Sequence, residues 1–349
     1  MHHDSTQKSQ WSLGALEYLD SCPFCNAETH ESKAFSRQDD TLSLPDIWIL
    51  NQCNACASIY LNPRPDAESL PKAYQNYYTH AKATDERELR DNSLLTRLIN
   101  GYLNHRFSMK RPNANRFGAW LFQLIPPLRM ALDVYGRHIP KHLCNSDTQL
   151  LDVGCGNGSY LLKAQEMGLN AFGQEIDPTS QSNFLSAGLN VHIGDLHSAN
   201  YADKSFDYIT LNHVIEHVQD PQELLLTLKS ILKEEGTLWL NLPNASALGI
   251  KVFSKAWKGF HPPFHLLIPS QPMLKSWLEQ AGFEDILFIR RGIQSKGLWK
   301  ESEALYFREK KRKRPLIGAF LKFLADMLSI VSTRFSEETI VIAKRPKEH

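Results

Sequence analysis

The 349-residue sequence predicts an α/β fold: an open, mostly parallel sheet with helices on both faces, preceded by a small metal-binding module and a helical segment. Three observations carry this. From residue 148 strand-like and helix-like patterns alternate, a glycine-rich turn follows the first of those strands, and two Cys-x-x-Cys pairs stand near the N-terminus. With 42% hydrophobic and 22% charged residues, the chain is neither disordered nor collagen-like.

Taken from the N-terminus, residues 1–65 form the first unit. Cys22-Pro23-Phe24-Cys25 is separated by 27 residues from Cys53-Asn54-Ala55-Cys56, and the strand-like Ile47-Trp48-Ile49-Leu50 leads into the second pair. Two such knuckles can set four thiolates tetrahedrally around one Zn²⁺; four protein ligands close the site, so its expected role is structural. Four unrelated buried cysteines, or two redox pairs, are the competing reading. Residues 66–147 follow as a helical, basic region. They open after Asn62-Pro63-Arg64-Pro65 with Tyr74, Tyr77 and Tyr78, and Pro126-Pro127 interrupts them.

Residues 148–290 form the core. Strands are predicted near 149–153, 171–175, 190–194, 207–212, 237–241 and 284–289, and helices near 157–167, 179–187, 221–233 and 271–281. Residues 338–344 add a seventh strand, within a terminal unit at 336–349. Between the sixth and seventh strands lies an insertion, 291–335, that carries a basic run and an apolar helix.

The site chemistry begins at Leu150-Leu151-Asp152-Val153-Gly154-Cys155-Gly156-Asn157-Gly158, a buried strand entering a glycine turn. Glycine lets the backbone approach a ligand where a Cβ would collide. The carboxyl end of a strand in an open sheet is where such folds bind ligands. About 20 residues on, Glu175 ends the second strand, where an acid can accept both hydroxyls of a ribose. Gly194-Asp195 ends the third strand and suits the exocyclic amine of adenine. A nicotinamide-binding enzyme would also use a glycine turn, but this one lacks the usual dinucleotide spacing.

These motifs, with Phe206-Asp207-Tyr208-Ile209-Thr210-Leu211-Asn212-His213-Val214-Ile215-Glu216-His217-Val218, resemble the class I S-adenosylmethionine-dependent methyltransferases over about 148–290. The resemblance implies a Rossmann-like seven-stranded methyltransferase sheet and an enzyme that uses S-adenosylmethionine. The paired cysteine knuckles, Asn62-Pro63-Arg64-Pro65 and the Tyr-rich helix are similar to a bacterial subgroup with an N-terminal zinc ribbon. So are Leu242-Pro243-Asn244, Trp257, Gly259 and Pro263-Phe264-His265-Leu266. That subgroup serves sugar, polysaccharide and secondary-metabolite pathways and includes zinc-containing sugar C-methyltransferases. The implied cofactor contacts are Asp152, Gly154, Cys155, Gly156, Asn157 and Gly158 at the methionine end. Glu175 with Ile176 would hold the ribose, Asp195 with Leu196 the adenine, and Asn212 the amino-acid portion.

Methyl transfer is an in-line displacement that neutralises a sulfonium, so positioning supplies much of the catalysis. A base is needed only for a hydroxyl or carbon-acid acceptor, and histidine titrates in the useful range. His213 and His217 stand four apart at the end of the fourth strand, with Glu216 between them; His261 and His265 lie in the loop after the fifth. His265, His217 and His213 are the candidate bases, against the reading in which Glu216-His217 only helps cap a helix. No Asp/Asn-Pro-Pro-Tyr motif of nucleic-acid amino-methyltransferases is present, and no acidic cluster marks a catechol-type Mg²⁺ site. Cys144 and Cys155 are unpromising nucleophiles.

Charge is segregated. Residues 94–143 hold eight basic and one acidic side chain, residues 287–314 ten and three, and the remainder is net −13 although the chain totals +1. The second segment abuts Leu316–Val331, apolar but for a stripe of Lys322, Asp326 and Ser329. Such a pair suits a peripheral membrane contact through 308–333, or else a helix packed on protein beside a solvated charge run. The expected partner is a sugar, glycan, lipid-linked or related small-molecule acceptor. RNA is the rival acceptor, and a non-catalytic cofactor-binding protein a further alternative. With no signal peptide visible in Met1–Gln7 and six cysteines, the expected location is cytoplasmic, or peripheral at the inner membrane face.

Overall fold

The computed structural model describes residues 10–28, 32–38, 42, 44–74, 92–292, 296–310 and 317–348. Of the sequence features above, Tyr77, Tyr78 and residues 311–316 lie outside them.

The N-terminal unit is built from two small sheets. One joins β1 (Gln10–Trp11), β2 (Gly14–Glu17) and β6 (Arg64–Pro65). The other joins β3 (Ser32–Gln38), β4 (Ile47–Cys53) and β5 (Ile59–Leu61) as an antiparallel meander. In β4 the strand period of two buries Trp48 and Leu50 and exposes Ile47 and Ile49. Trp11 meets Trp48 edge-on with ring centres 5.2 Å apart.

Helices α1 (Leu70–Tyr74), α2 (Leu94–Phe107), α3 (Phe117–Leu124) and α4 (Pro126–Tyr135) follow. Ser93 caps α2 by accepting from the Thr96 N–H at 3.2 Å, and Pro126 starts α4 where no intrahelical N–H is needed.

The core alternates as predicted: β7 (Gln149–Val153), α5 (Ser159–Glu166), β8 (Asn170–Glu175), α6 (Gln181–Ser186), β9 (Asn190–Ile193), β10 (Phe206–Asn212), α7 (Pro221–Ile231) and β11 (Leu232–Pro243). Then come α8 (Leu248–Phe253), β12 (Leu267–Ile268), α9 (Gln271–Gln280), β13 (Glu284–Ile289), α10 (Lys296–Lys310), α11 (Ile317–Val331) and β14 (Glu338–Lys344). Seven strands form one sheet in the order β13-β14-β11-β10-β7-β8-β9. β7 to β11 pair in parallel, and β14 runs antiparallel to both of its neighbours. Strand order reverses between β7 and β10, so their carboxyl ends, Val153 and Asn212, flank the crevice where open sheets bind ligands.

The cysteine-bearing sheet is not separate from this core. β12, from the loop after β11, completes it by pairing Leu267 with Tyr60 and Ile268 with Ile59. Arg37 Nη1 donates to the Trp257 carbonyl at 2.6 Å, and Phe24 stacks on Trp277 with ring centres 5.1 Å apart. The N-terminal unit therefore holds the 257–268 loop against the crevice.

Helix α11 packs by its polar side. Its polar stripe points inward: Asp326 and Ser329 are buried, and the Ser329 hydroxyl donates to the Gly292 carbonyl at 2.9 Å. Phe320, Phe323, Leu324 and Val331 face outward. A 15-residue helix is about 22 Å long, short of a ~30 Å hydrocarbon core, and among the described residues no helix is long and apolar enough to cross a membrane.

Candidate functional site

One cleft of about 1920 Å³ runs along the carboxyl edge of the sheet. Its first half is made mainly by the turn after β7 and the ends of β8 and β9. Gly154 and Gly156 take φ of +63° and +58°, a region open to glycine. At Gly156 an added Cβ would meet nothing within 4 Å, because that direction is the open cleft. Glu175 Oε2 accepts the Gly156 N–H at 2.7 Å, and its Oε1 accepts those of Ile176 and Asp177 at 2.9 and 3.2 Å. Burial pushes this carboxyl up, and the three N–H groups oppose that. The carboxylate thus braces the glycine turn while facing the cleft, where it can also accept from a ribose.

Ile176, exposed, and Leu196, buried, give apolar surface for a flat base. Asp195, whose Oδ1 accepts the Ser198 N–H at 2.7 Å, stands beside them, and that bond holds its carboxyl below the usual range. Cys155, Asn157 and Asn212 also line the cleft. Arg137 was not anticipated here. Its guanidinium pairs with buried Asp152, donates to Thr210 Oγ1 at 2.6 Å, and lies 3.6 Å above the Tyr160 ring centre. It lines the same end, where a cation suits the carboxylate of an amino-acid moiety. Glycine cradle, ribose acceptor, base slot and guanidinium together fit S-adenosylmethionine.

Two of the expected contacts stand behind the cleft wall. Asp152 does not line the cleft; it is 1% exposed and committed to Arg137 and Thr210. Gly158 does not line it either, because a Cβ there would stand 2.6 Å from Leu189 and 3.2 Å from Phe184, so this glycine admits close helix packing.

The second half of the cleft is built from side chains. His213, His217 and His265 all line it, with Tyr74 from α1, His261 from the loop and Glu338 from β14. His217 Nδ1 is 2.9 Å from the Tyr74 hydroxyl, and its ring meets that of His265 edge-on at 4.7 Å. Burial pushes His217 down, and pushes His265 well down, so both rings stay neutral near pH 7. His265 Nδ1 donates to the Gly259 carbonyl at 2.8 Å. His213 Nδ1 is 2.9 Å from Glu216 Oε1, and its Nε2 is 3.0 Å from Glu338 Oε1. Glu216 is fully buried, and Arg291 pairs with Glu338. Of the three candidate bases, His213 has both nitrogens engaged by carboxylates, whereas His217 meets the Tyr74 hydroxyl and the Phe264 backbone carbonyl.

Sequence reading missed Arg137, Tyr160, Glu337 and Glu338 as cleft residues. None belongs to a motif. Glu338 merely opens the last strand, and Arg137 is one basic residue among eight in its segment.

Away from the cleft, Cys22, Cys25, Cys53 and Cys56 converge. Cys22 and Cys56 Sγ are 3.7 Å apart, as are those of Cys25 and Cys53, and all four lie within 4.8 Å. Thiolates 2.3 Å from one Zn²⁺ would stand about 3.8 Å apart in a tetrahedron, so the cluster is compatible with a zinc ribbon. The two knuckles repeat one backbone pattern: Asn26 N–H to Cys22 O and Ala57 N–H to Cys53 O, both at 2.9 Å.

Residues 115–287 match the family model described as a methyltransferase domain. A tRNA U34 carboxymethyltransferase from Nautilia profundicola is 28% identical over 185 residues, 48% of this chain and 59% of the relative. A ubiquinone biosynthesis O-methyltransferase from Haemophilus ducreyi is 30% identical over 158 residues, 39% of this chain and 65% of the relative. The chain thus spans under two thirds of these relatives. A solved SAM dependent methyltransferase from Archaeoglobus fulgidus is 22% identical, covering 57% of this chain and 86% of that one, with a TM-score of 0.40. Strand order, glycine turn and the matched residues agree: the chain carries a class I S-adenosylmethionine-dependent methyltransferase domain.

Proposed function

We propose that the protein transfers a methyl group from S-adenosylmethionine to a hydroxyl-rich acceptor, a sugar or glycan unit, free or lipid-linked. One observation carries the acceptor class. Besides the histidines, the cleft is lined by further hydrogen-bonding side chains, among them Gln219, Lys258 and Glu301, which suit several hydroxyls at once. The volume, about 1920 Å³, leaves room for an acceptor beside the cofactor. In the reaction an acceptor oxygen forms the new bond to the methyl carbon. The S–CH₃ electron pair would return to sulfur as a neutral thioether, and the hydroxyl proton would pass to the Tyr74 oxygen as Tyr74 gives its own to His217 Nδ1.

RNA is the second reading, supported by the relatives named tRNA U34 carboxymethyltransferase and by the two basic segments. Labelled S-adenosylmethionine supplied with sugar-nucleotide, glycolipid and tRNA pools separates the two. Label in an RNase-resistant saccharide product supports the first reading, and RNase-sensitive label replaces it with the second.

We assign Zn²⁺ to the four cysteines as a structural ion. Metal analysis of protein purified without chelator should find zinc, and its removal should lower the melting temperature, since the ribbon braces the 257–268 loop. Zinc-free protein of unchanged stability refutes the assignment. The outward apolar face of α11, beside the basic run that precedes it in sequence, supports contact of 308–333 with an anionic bilayer. Phe320→Ser/Phe323→Ser should reduce flotation with anionic liposomes; flotation equal to wild type would reject that contact.

A further inference from the structure

At the acceptor end of the cleft two imidazole nitrogens and a buried carboxylate oxygen converge. His265 Nδ1 is 2.8 Å from the Gly259 carbonyl oxygen, which can only accept, so the ring proton sits there. The lone pair on Nε2 then faces Glu216 Oε1 at 3.8 Å. His213 touches a carboxylate on each side, Glu216 Oε1 at 2.9 Å and Glu338 Oε1 at 3.0 Å. In the tautomer that donates to Glu338, its Nδ1 lone pair also faces Glu216 Oε1. His213 Nδ1, His265 Nε2 and Glu216 Oε1 thus lie within 4.8 Å of one another. Glu216 Oε2 is buried and has no hydrogen-bond partner among the described residues.

This is the arrangement of a metal site. A ligating histidine gives its distal N–H to a carbonyl or carboxylate, which fixes the tautomer and aims the other nitrogen at the ion. Gly259 and Glu338 fill those outer positions, and Arg291 and Asn241 in turn hold Glu338, Asn241 Nδ2 at 3.4 Å. Ligands about 2.0–2.2 Å from one ion stand about 3.0–3.5 Å from each other, close to the 2.9 and 3.8 Å found here.

We propose that His213 Nδ1, Glu216 Oε1 and His265 Nε2 bind a divalent transition-metal ion at the acceptor end of the cleft. Two imidazoles and one carboxylate select a borderline ion of the Zn²⁺, Fe²⁺ or Mn²⁺ type over Ca²⁺ or Mg²⁺. Three protein ligands leave coordination positions open, and His213 and His265 both line the cleft. An acceptor hydroxyl bound in an open position would be held in place and made more acidic next to His217. This role rests on the methyl-transfer reading above; the binding site itself does not.

Mn²⁺ tests the site apart from the cysteine cluster, because it is the hardest of these ions and the least suited to four thiolates. Full-length protein, freed of metal by chelator and titrated with Mn²⁺ under electron paramagnetic resonance, should bind one ion per chain. Glu216→Gln and His213→Ala should each weaken that binding tenfold or more. Because Glu216 is buried, its variant can fail to fold; His213, half-exposed at a strand end, then decides by itself. Folded wild-type protein that binds no Mn²⁺, or a folded His213→Ala variant that binds it like wild type, would overturn the site. The titration uses neither cofactor nor acceptor, so its failure leaves the methyl-transfer reading standing, and an inactive protein that binds Mn²⁺ does the reverse.

Discussion

The two halves of the cleft are made in different ways. At the cofactor end, consecutive residues of the turn after β7 and the ends of β8 and β9 do most of the work, and backbone groups matter as much as side chains. Glu175 illustrates this by binding three N–H groups from two loops. At the acceptor end, α1, the β10 end, the 257–268 loop and β14 all send in side chains, and these meet only in the folded chain. A binding half built on local geometry can stay constant while the other half is rebuilt for a new acceptor, which is how one fold hosts many reactions.

If the halves are functionally separate, a change at the acceptor end should cost turnover and spare cofactor affinity. His217→Asn should lower methyl transfer by about 10²–10⁴-fold with cofactor affinity within about twofold of wild type, measured by rate assay and calorimetry. Parallel loss of both would dissolve the division. Arg137 sharpens it from the other side. Arg137→Met strands the buried Asp152 carboxylate and should cost about 3–5 kcal/mol in urea unfolding. Loss of under 1 kcal/mol would mean that Asp152 finds another partner.

The smallest effect concerns His138, which lies outside both halves and accepts from Trp239 Nε1 at 3.1 Å. Burial pushes its ring down to about 4, against about 6.5 in an unfolded chain. Between those values the unfolded state holds more protons, so stability is complete above pH 6.5 and falls as pH drops toward 4. Relative to His138→Gln, wild type should lose on the order of 2 kcal/mol over that window. Equal pH dependence of the two proteins would remove this residue from the acid response.

The same contrast decides what was legible in the sequence. Most strands of the sheet were legible because buried strands read as apolar runs punctuated by turns. The glycine turn, Glu175 and Asp195 were legible because their spacing along the chain is their geometry. Asp152 and Gly158 were placed in the contact set because they sit within the motif; sequence adjacency does not show that one faces Arg137 and the other Phe184. The stripe on α11 was visible as periodicity, but its direction was not, since Ser329 bonds to distant Gly292 and Asp326 is buried by the fold. His213, Glu216 and His265 were singled out separately; nothing in their spacing places three lone pairs around one point.

The central claim is that the glycine-turn half of the cleft binds S-adenosylmethionine through Glu175 and without His217. Calorimetric titration of the cofactor into wild type, Glu175→Ala and His217→Asn tests it in one experiment. We expect wild type and His217→Asn to bind alike and Glu175→Ala to bind at least tenfold more weakly. That is about 1.4 kcal/mol or more, as loss of hydrogen bonds to a charged group would give. A wild-type protein that does not bind the cofactor, or a Glu175→Ala variant that binds it unchanged, would contradict the assignment.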